Sequence, residues 1–147
     1  MTLIPILISL LLAPKVEYIE VPVREYVNES LDEWEKLQLA IILTESKGDP
    51  NAVGKDGDFG LYQMIERYIL EVNRVCHTDY SHEDAFDPDK AIKIFNDMQG
   101  YYNPGKDFDT ALKYHNRSAA YRKAILQSLE LVERYETVRQ KLVDYGK

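Results

Sequence analysis

The sequence predicts a mainly α-helical domain. From about residue 30 onward, apolar side chains recur every three or four residues, which is the spacing of the buried face of a helix. Asp87 followed by Pro88 has the chemistry of a helix start, and Asn103-Pro104-Gly105 has that of a helix stop. A chain of 147 residues suits one domain with a single hydrophobic core.

The first 29 residues differ in composition from the rest of the chain. Residues 1–14 contain the uncharged run LIPILISLLLA, which is shorter than the roughly 20 residues of a spanning helix and fits a signal-like or anchor segment. No Lys or Arg precedes this run and Pro14 makes a poor cleavage site, so a buried or disordered native terminus is the alternative. Residues 15–29 roughly alternate apolar and charged side chains around Pro22, which predicts an extended linker.

Residues 30–147 form the predicted helical domain. Ser30 and Glu33 have the spacing of a capping box, and the helix that they start is predicted to run to Glu45. The glycine-rich stretch that follows predicts a loop, with at most a small hairpin at 53–59. Four more helices are expected at about 61 or 65 to 75, 88–102, 107–114, and from 117 towards the C-terminus. On the last of these, Tyr121 and Tyr135 fall on the apolar face and are predicted to be core residues.

The charge balance excludes some partners. The chain has 18 Lys and Arg against 25 Asp and Glu, a net charge of -7, so its long-range field repels nucleic acids and anionic lipid surfaces. Cys76 is the single cysteine, so an internal disulfide cannot form. Neutral or sugar-like ligands fit this composition.

The glutamate that ends the first predicted helix is the best candidate for acid chemistry. Glu45 follows Ile41 and Ile42 by four and three residues, which places it beside the apolar face. Partial burial and the negative end of the helix dipole both disfavour a carboxylate, so we expect a raised pKa. A carboxyl that keeps its proton near neutral pH can donate it to a leaving oxygen.

Three motifs resemble those of the soluble lytic transglycosylase and goose-type lysozyme superfamily. The first is a helix-terminal Glu-Ser followed by a loop that ends in GLYQM. Its matching residues are Glu45, Ser46, Pro50, Ala52, Gly57, Gly60, Leu61 and Gln63, and Tyr62 replaces a methionine that is frequent in the family. The second is the Asp-Pro before a helix in AFDPDKAIKIFNDMQGYYNP, and the third is ALKYHN, which is similar to the family's Ala-Tyr-Asn element. The resemblance covers roughly residues 31–126.

This resemblance implies a lysozyme-like helical domain that cleaves the glycan strands of peptidoglycan. Glu45 would protonate the glycosidic oxygen between N-acetylmuramic acid and N-acetylglucosamine. Attack by the muramyl 6-hydroxyl, with Glu45 as base, would then give a 1,6-anhydro end. The implied substrate-binding residues are Ser46, Asp58, Gly60, Leu61, Tyr62, Gln63, Tyr114, His115 and Asn116. Such a substrate implies a location in the cell envelope, exported or membrane-anchored, or in a virion assembly attached through the N-terminus.

One family position is changed in this sequence. His115 stands where the resemblance places a tyrosine that orients the catalytic acid, while Asn116 keeps the family's asparagine. Either His115 or the adjacent Tyr114 must therefore take over the hydrogen bond to Glu45 if the protein is active. The alternative interpretation is that His115 and Asn116 only end a short helix.

Two other functions stay open at the level of sequence. A lysozyme-type hydrolase needs a second carboxylate that holds water across the sugar ring, roughly 6.5 to 9.5 Å from the acid in the inverting arrangement. Asp56 and Asp58 are the candidates for it. A non-catalytic wall-binding or structural module is the other alternative.

No cofactor and no metal are expected. DPNAVG and DGDFG have the composition of calcium loops, but their twelfth positions are Gly60 and Arg67 instead of the glutamate that calcium needs. CHTDYSHED, residues 76–84, contains zinc-binding residue types without the spacing of a zinc site. A polar loop between helices is the better interpretation of that segment.

Overall fold

The computed structural model describes residues 30–145, and the prediction of a mainly α-helical domain is confirmed there. Its elements are α1 (Glu33–Glu45), α2 (Glu66–Cys76), a 3₁₀ helix (His82–Phe86), α3 (Pro88–Tyr102), α4 (Phe108–Lys113) and α5 (Ala119–Tyr145). The predicted apolar segment 1–14 and the predicted linker 15–29 lie outside the described residues. Within 30–145, no helix combines the length and the apolar character that crossing a membrane requires.

The start of α1 differs from the predicted one. Asp32 is the N-cap: its carboxylate accepts a hydrogen bond from Glu35 N at 2.8 Å, and the Glu35 carboxylate accepts one from Asp32 N at 2.8 Å. The predicted box of Ser30 and Glu33 is therefore wrong. Asp32 and Glu35 have the same spacing two residues later, and Asp caps a helix as well as Ser does. The predicted end of the helix at Glu45 is confirmed.

Two other helices hold α1 in place. It packs against α5, where Thr44 Oγ1 and Ser128 Oγ are hydrogen-bonded at 2.8 Å. Towards α3, Trp34 Nε1 donates a hydrogen bond to Asn96 Oδ1 at 3.0 Å. These contacts fix both ends of α1 and so fix the position of Glu45 at its C-terminus.

The core continues into the segment between α1 and α2. Tyr62 is fully buried, its ring stacks on Phe95 of α3 with centroids 4.5 Å apart, and its hydroxyl donates to Gln38 Oε1 at 3.0 Å. The prediction of a core position is confirmed for Tyr121, whereas Tyr135 is only half-buried. The loop is therefore attached to the core by its own aromatic residue.

The loop contains the small hairpin region that the sequence predicts. Phe59 forms isolated antiparallel bridges with Val53 and with Met64. Gly60 has φ of +70°, and a Cβ there would lie 1.8 Å from the carbonyl oxygen of Ala85. Only glycine allows this loop to pack against the backbone of the 3₁₀ helix.

We expect Gly60→Ala to destabilise the fold more than Gly57→Ala does. Gly57 also has a positive φ, +76°, but a Cβ there would meet no atom within 4 Å. Gly57→Ala should therefore cost only the backbone strain, about 1 kcal/mol, and Gly60→Ala should add the clash with Ala85. Urea unfolding of both variants measures the difference. Equal losses of unfolding free energy would mean that the loop does not rest on the 3₁₀ helix.

Candidate active site

An open cleft of about 770 Å³ lies at the C-terminal end of α1. Glu45 lines it together with the loop after α1, the exposed face of α2 and the segment that follows α4. From the predicted substrate-binding set, the cleft lining contains Asp58, Gln63, Tyr114, His115 and Asn116. The fold therefore brings residues from all three segments that carry the family motifs, including Met98 of α3, around one carboxyl group.

Glu45 is largely enclosed although it faces the cleft. Its side chain is 18% exposed, and Tyr68 and Met98, both buried, line the same cavity. A carboxyl in this position meets a substrate without being surrounded by bulk water. This is the arrangement that a general acid requires.

His115 is the closest polar neighbour of this carboxyl. Its Nε2 lies 3.1 Å from Glu45 Oε1, within ion-pair distance, and its side chain is only 6% exposed. The rings of Tyr68, Phe95 and Tyr121 enclose the imidazole, with centroids 6.2, 6.4 and 5.8 Å away. Its Nδ1 is buried and has no hydrogen-bond partner among residues 30–145. Of the two neutral tautomers, the one with the proton on Nε2 fits this site because it directs a donor towards the carboxylate.

Tyr114 and Asn116 have different surroundings. The Tyr114 ring stacks on Tyr102 of α3 at 4.7 Å and forms part of the cleft wall. Asn116 is exposed in the cleft, and its Oδ1 accepts a hydrogen bond from Ser118 N at 2.9 Å, just before α5. His115 is thus the residue of this segment that lies against the acid, and Tyr114 supplies an aromatic surface.

Two tyrosines beside the acid were not predicted as site residues. Burial raises the pKa of the Tyr68 hydroxyl, and burial followed by the charge of Glu45 raises the pKa of Tyr121. The Tyr121 hydroxyl is close enough to Glu45 to interact with its charge, but it forms no well-aligned hydrogen bond within the described residues. Helical spacing in the sequence places Tyr121 on the buried face of α5, but it does not indicate which group the tyrosine contacts there.

Four predicted substrate-binding residues lie behind the cleft wall and do not line it. Ser46 Oγ donates to Leu61 O at 2.9 Å and so ties the end of α1 to the loop. Leu61 and Tyr62 are buried in the core, and Gly60 packs against the 3₁₀ helix. These residues hold the loop that carries the cleft-lining side chains.

Polar side chains of the loop after α1 form hydrogen bonds within that loop. Gln63 has φ of 48°, and its Nε2 donates to Ala52 O and Gly60 O at 3.2 and 2.9 Å. Asp58 Oδ1 accepts from Asp56 N at 3.1 Å, and its carboxylate packs over the Cα of Gly54. Asp56 also lines the cleft and is exposed.

The segment CHTDYSHED joins α2 to the 3₁₀ helix. The His82 ring stacks on Phe59 at 4.0 Å, and its Nε2 lies 2.7 Å from the carbonyl oxygen of Met64. His82 therefore anchors the loop after α1. Among residues 30–145, no three His, Cys, Asp or Glu side chains converge as metal ligands would.

The helical fold thus places an enclosed glutamate beside an open cleft. The family model of the transglycosylase SLT domain matches residues 26–129, so the chain belongs to this family. Its members are lytic transglycosylases, which cleave glycan strands, and the chain is accordingly an enzyme with peptidoglycan as its substrate. No curated protein and no solved structure gives a significant match.

The Tyr121 hydroxyl forms no well-aligned hydrogen bond within residues 30–145, which predicts the effect of removing it. Tyr121→Phe should leave the unfolding free energy unchanged or raise it, because the described part of the chain buries this hydroxyl without a well-aligned partner. Tyr62→Phe is the matched control: it removes a buried hydroxyl that donates to Gln38, and should cost about 1 kcal/mol. Chemical denaturation compares the two, and an equal cost would show that the Tyr121 hydroxyl has a partner.

Proposed function

We propose that the protein is a lytic transglycosylase that cleaves the β-1,4 bond between N-acetylmuramic acid and N-acetylglucosamine and leaves 1,6-anhydro ends. Glu45 is the single acid and base in this proposal. The observation that carries it is the position of the Glu45 carboxyl, which is 18% exposed, borders the cleft and lies 3.1 Å from His115 Nε2.

The first step is proton donation to the glycosidic oxygen. Because Glu45 Oε1 is the oxygen next to His115, Oε2 is left to carry the proton towards the substrate. The bond between the anomeric carbon and the glycosidic oxygen breaks, an oxocarbenium-like centre develops, and the proton stays on the leaving sugar. Glu45 is then a carboxylate.

The second step uses this carboxylate as a base. It accepts the proton of the muramyl 6-hydroxyl while that oxygen bonds to the anomeric carbon, which closes the anhydro ring and returns Glu45 to its acid form. Asp58 supports this outcome over hydrolysis, because its carboxylate is engaged with the backbone of its own loop. Asp56 lines the cleft and is the residue on which a water-based mechanism would depend.

His115 is a positioning residue in this mechanism. An Nε2–H donor at Oε1 fixes the carboxyl rotamer and stabilises the carboxylate that forms after the first step. The aromatic rings around the imidazole keep it from turning away. His115 thus performs the role that the family resemblance gives to tyrosine.

The substrate class also supports a proposal for the cellular location of the protein. Peptidoglycan lies in the cell envelope, so we propose that the protein works there, exported or anchored through its apolar N-terminal segment, or carried in a virion that meets the cell wall. This proposal rests on the composition of residues 1–14 and on the substrate class.

Glu45→Gln should abolish the release of soluble muropeptides from purified peptidoglycan. The amide keeps the shape of the side chain but cannot exchange a proton, and loss of a general acid and base costs roughly a hundredfold or more. Mass spectrometry of the wild-type products should show anhydro ends, which are lighter by one water than reducing ends. Asp56→Asn is the control and should retain both activity and product type. Reducing ends that disappear in Asp56→Asn would support a hydrolase instead.

His115→Leu should lower kcat roughly ten- to a hundredfold with a small change in KM, because a hydrogen bond to a charged group contributes about 1.5–3 kcal/mol. His115→Gln keeps an amide donor at a similar distance from Cα and should retain more activity. Thermal unfolding of both variants shows whether the fold is intact. Equal activity of the Leu and Gln variants would contradict a role for the donor.

A further inference from the structure

The wall of the cleft that α2 forms carries two arginines. Arg67 and Arg74 both line the cavity, two turns apart on the same helix, and Glu71 lies between them. The parts of the lining from the end of α1 and the loop after it are acidic, with Glu45, Asp56 and Asp58. The cleft therefore has one wall with positive charge in a chain whose net charge is -7.

The two arginines differ in what they contact. Arg74 is committed to Glu71, with Nε donating to Oε2 at 2.9 Å and Nη2 donating to Oε1 at 2.7 Å, and it also donates to the Tyr102 hydroxyl. The Tyr102 hydroxyl donates to Glu71 as well. These hydrogen bonds hold the pKa of Glu71 at about 2 and keep it a carboxylate. The Glu71 carboxylate is therefore already engaged by Arg74 and the Tyr102 hydroxyl.

Arg67 has no such partner. Within residues 30–145 it forms no hydrogen bond and no ion pair. Its positive charge acts on Glu71 only at longer range, where it helps to lower the pKa of that carboxyl. Its side chain is exposed in the cleft. A guanidinium group with free donors on the wall of a binding cleft is suited to a planar anion.

We propose that Arg67 binds a carboxylate of the peptidoglycan substrate and selects strands that carry this charge. The inference rests on the proposed function and adds a binding role that Glu45 chemistry does not need. N-acetylglucosamine is uncharged, whereas N-acetylmuramic acid carries a lactyl group whose carboxyl is either free or extended by a peptide stem with its own carboxylates. Asp56 and Asp58 repel such a group from the loop side, so the wall formed by α2 is where it fits.

Binding is measured in the Glu45→Gln background, so that no substrate is consumed, by co-sedimentation for the insoluble sacculi and by isothermal titration calorimetry for the soluble glycan strands. Three substrates are compared: native sacculi, strands from which an amidase has removed the stems, and sacculi whose carboxylates are amidated with a carbodiimide. Arg67→Ala is tested beside Arg67→Lys, which keeps the charge, and beside Arg134→Ala, which removes an exposed cation of α5 outside the cleft lining.

Arg67→Ala should weaken binding to native sacculi roughly three- to tenfold, the range for an exposed charge-assisted hydrogen bond, and added salt should reduce the difference. Arg67→Lys should retain part of the affinity, and Arg134→Ala should behave like the parent protein. On amidated sacculi, the parent and Arg67→Ala should bind equally. Loss of the Arg67 effect on stripped strands identifies the stem, and a persistent effect shows that Arg67 accepts the lactyl carboxylate that the amidase exposes.

Equal binding of the parent and Arg67→Ala to native sacculi overturns the inference, as does an Arg67 effect of the same size on amidated sacculi. Failure of the proposed function looks different: wild-type protein would then bind sacculi and release no muropeptides. In that case the comparison of Arg67 variants by binding still decides the inference.

Discussion

The proposed mechanism depends on one contact, between Glu45 Oε1 and His115 Nε2 at 3.1 Å. The two residues belong to different parts of the chain, so every element that positions either of them contributes to the contact. On one side, α1 is held by α5 through Thr44 and Ser128 and by α3 through Trp34 and Asn96.

On the other side, His115 N donates to Leu112 O at 3.0 Å, which continues the last turn of α4 and places the imidazole inside the aromatic cluster. The geometry of the acid is thus a property of the helix packing, and no single loop determines it.

The loop after α1 adds the floor of the cleft to this framework. It is anchored by Ser46 at the end of α1, by Tyr62 in the core, by the close approach of Gly60 to Ala85, and by His82. Ser46 and Gly60 match the family motif as the cleft-lining Glu45 and Gln63 do, whereas Tyr62 replaces a methionine. A motif therefore records the residues that build a site together with those that touch a substrate, and the structure separates them. Gln63 belongs to both groups, because it lines the cleft while its amide nitrogen closes the loop.

Sequence reasoning predicted those features that depend on local pattern. Helical periodicity and caps such as Asp87 with Pro88 predicted where the helices lie. The position of Glu45 on its helix predicted a partly enclosed carboxyl. The capping box was misplaced by two residues because Ser30 and Asp32 offer the same local signal. The choice between His115 and Tyr114 could not be made, since adjacent residues after a short helix point in directions that only tertiary packing decides. The approach of Tyr121 to Glu45 was also inaccessible, because it requires knowing how α5 lies across α1.

The enclosure of the His115 ring explains how an imidazole can stand where the family resemblance places a tyrosine. A phenol has an ordinary pKa near 10 and stays neutral at working pH, so it donates a hydrogen bond to the acid without adding charge. An imidazole with its proton on Nε2 offers Glu45 the same kind of donor, 3.1 Å from Oε1. The rings of Tyr68, Phe95 and Tyr121 enclose the imidazole in that position, so in the proposed mechanism the apolar packing around His115 supplies the positioning that a tyrosine hydroxyl would otherwise give.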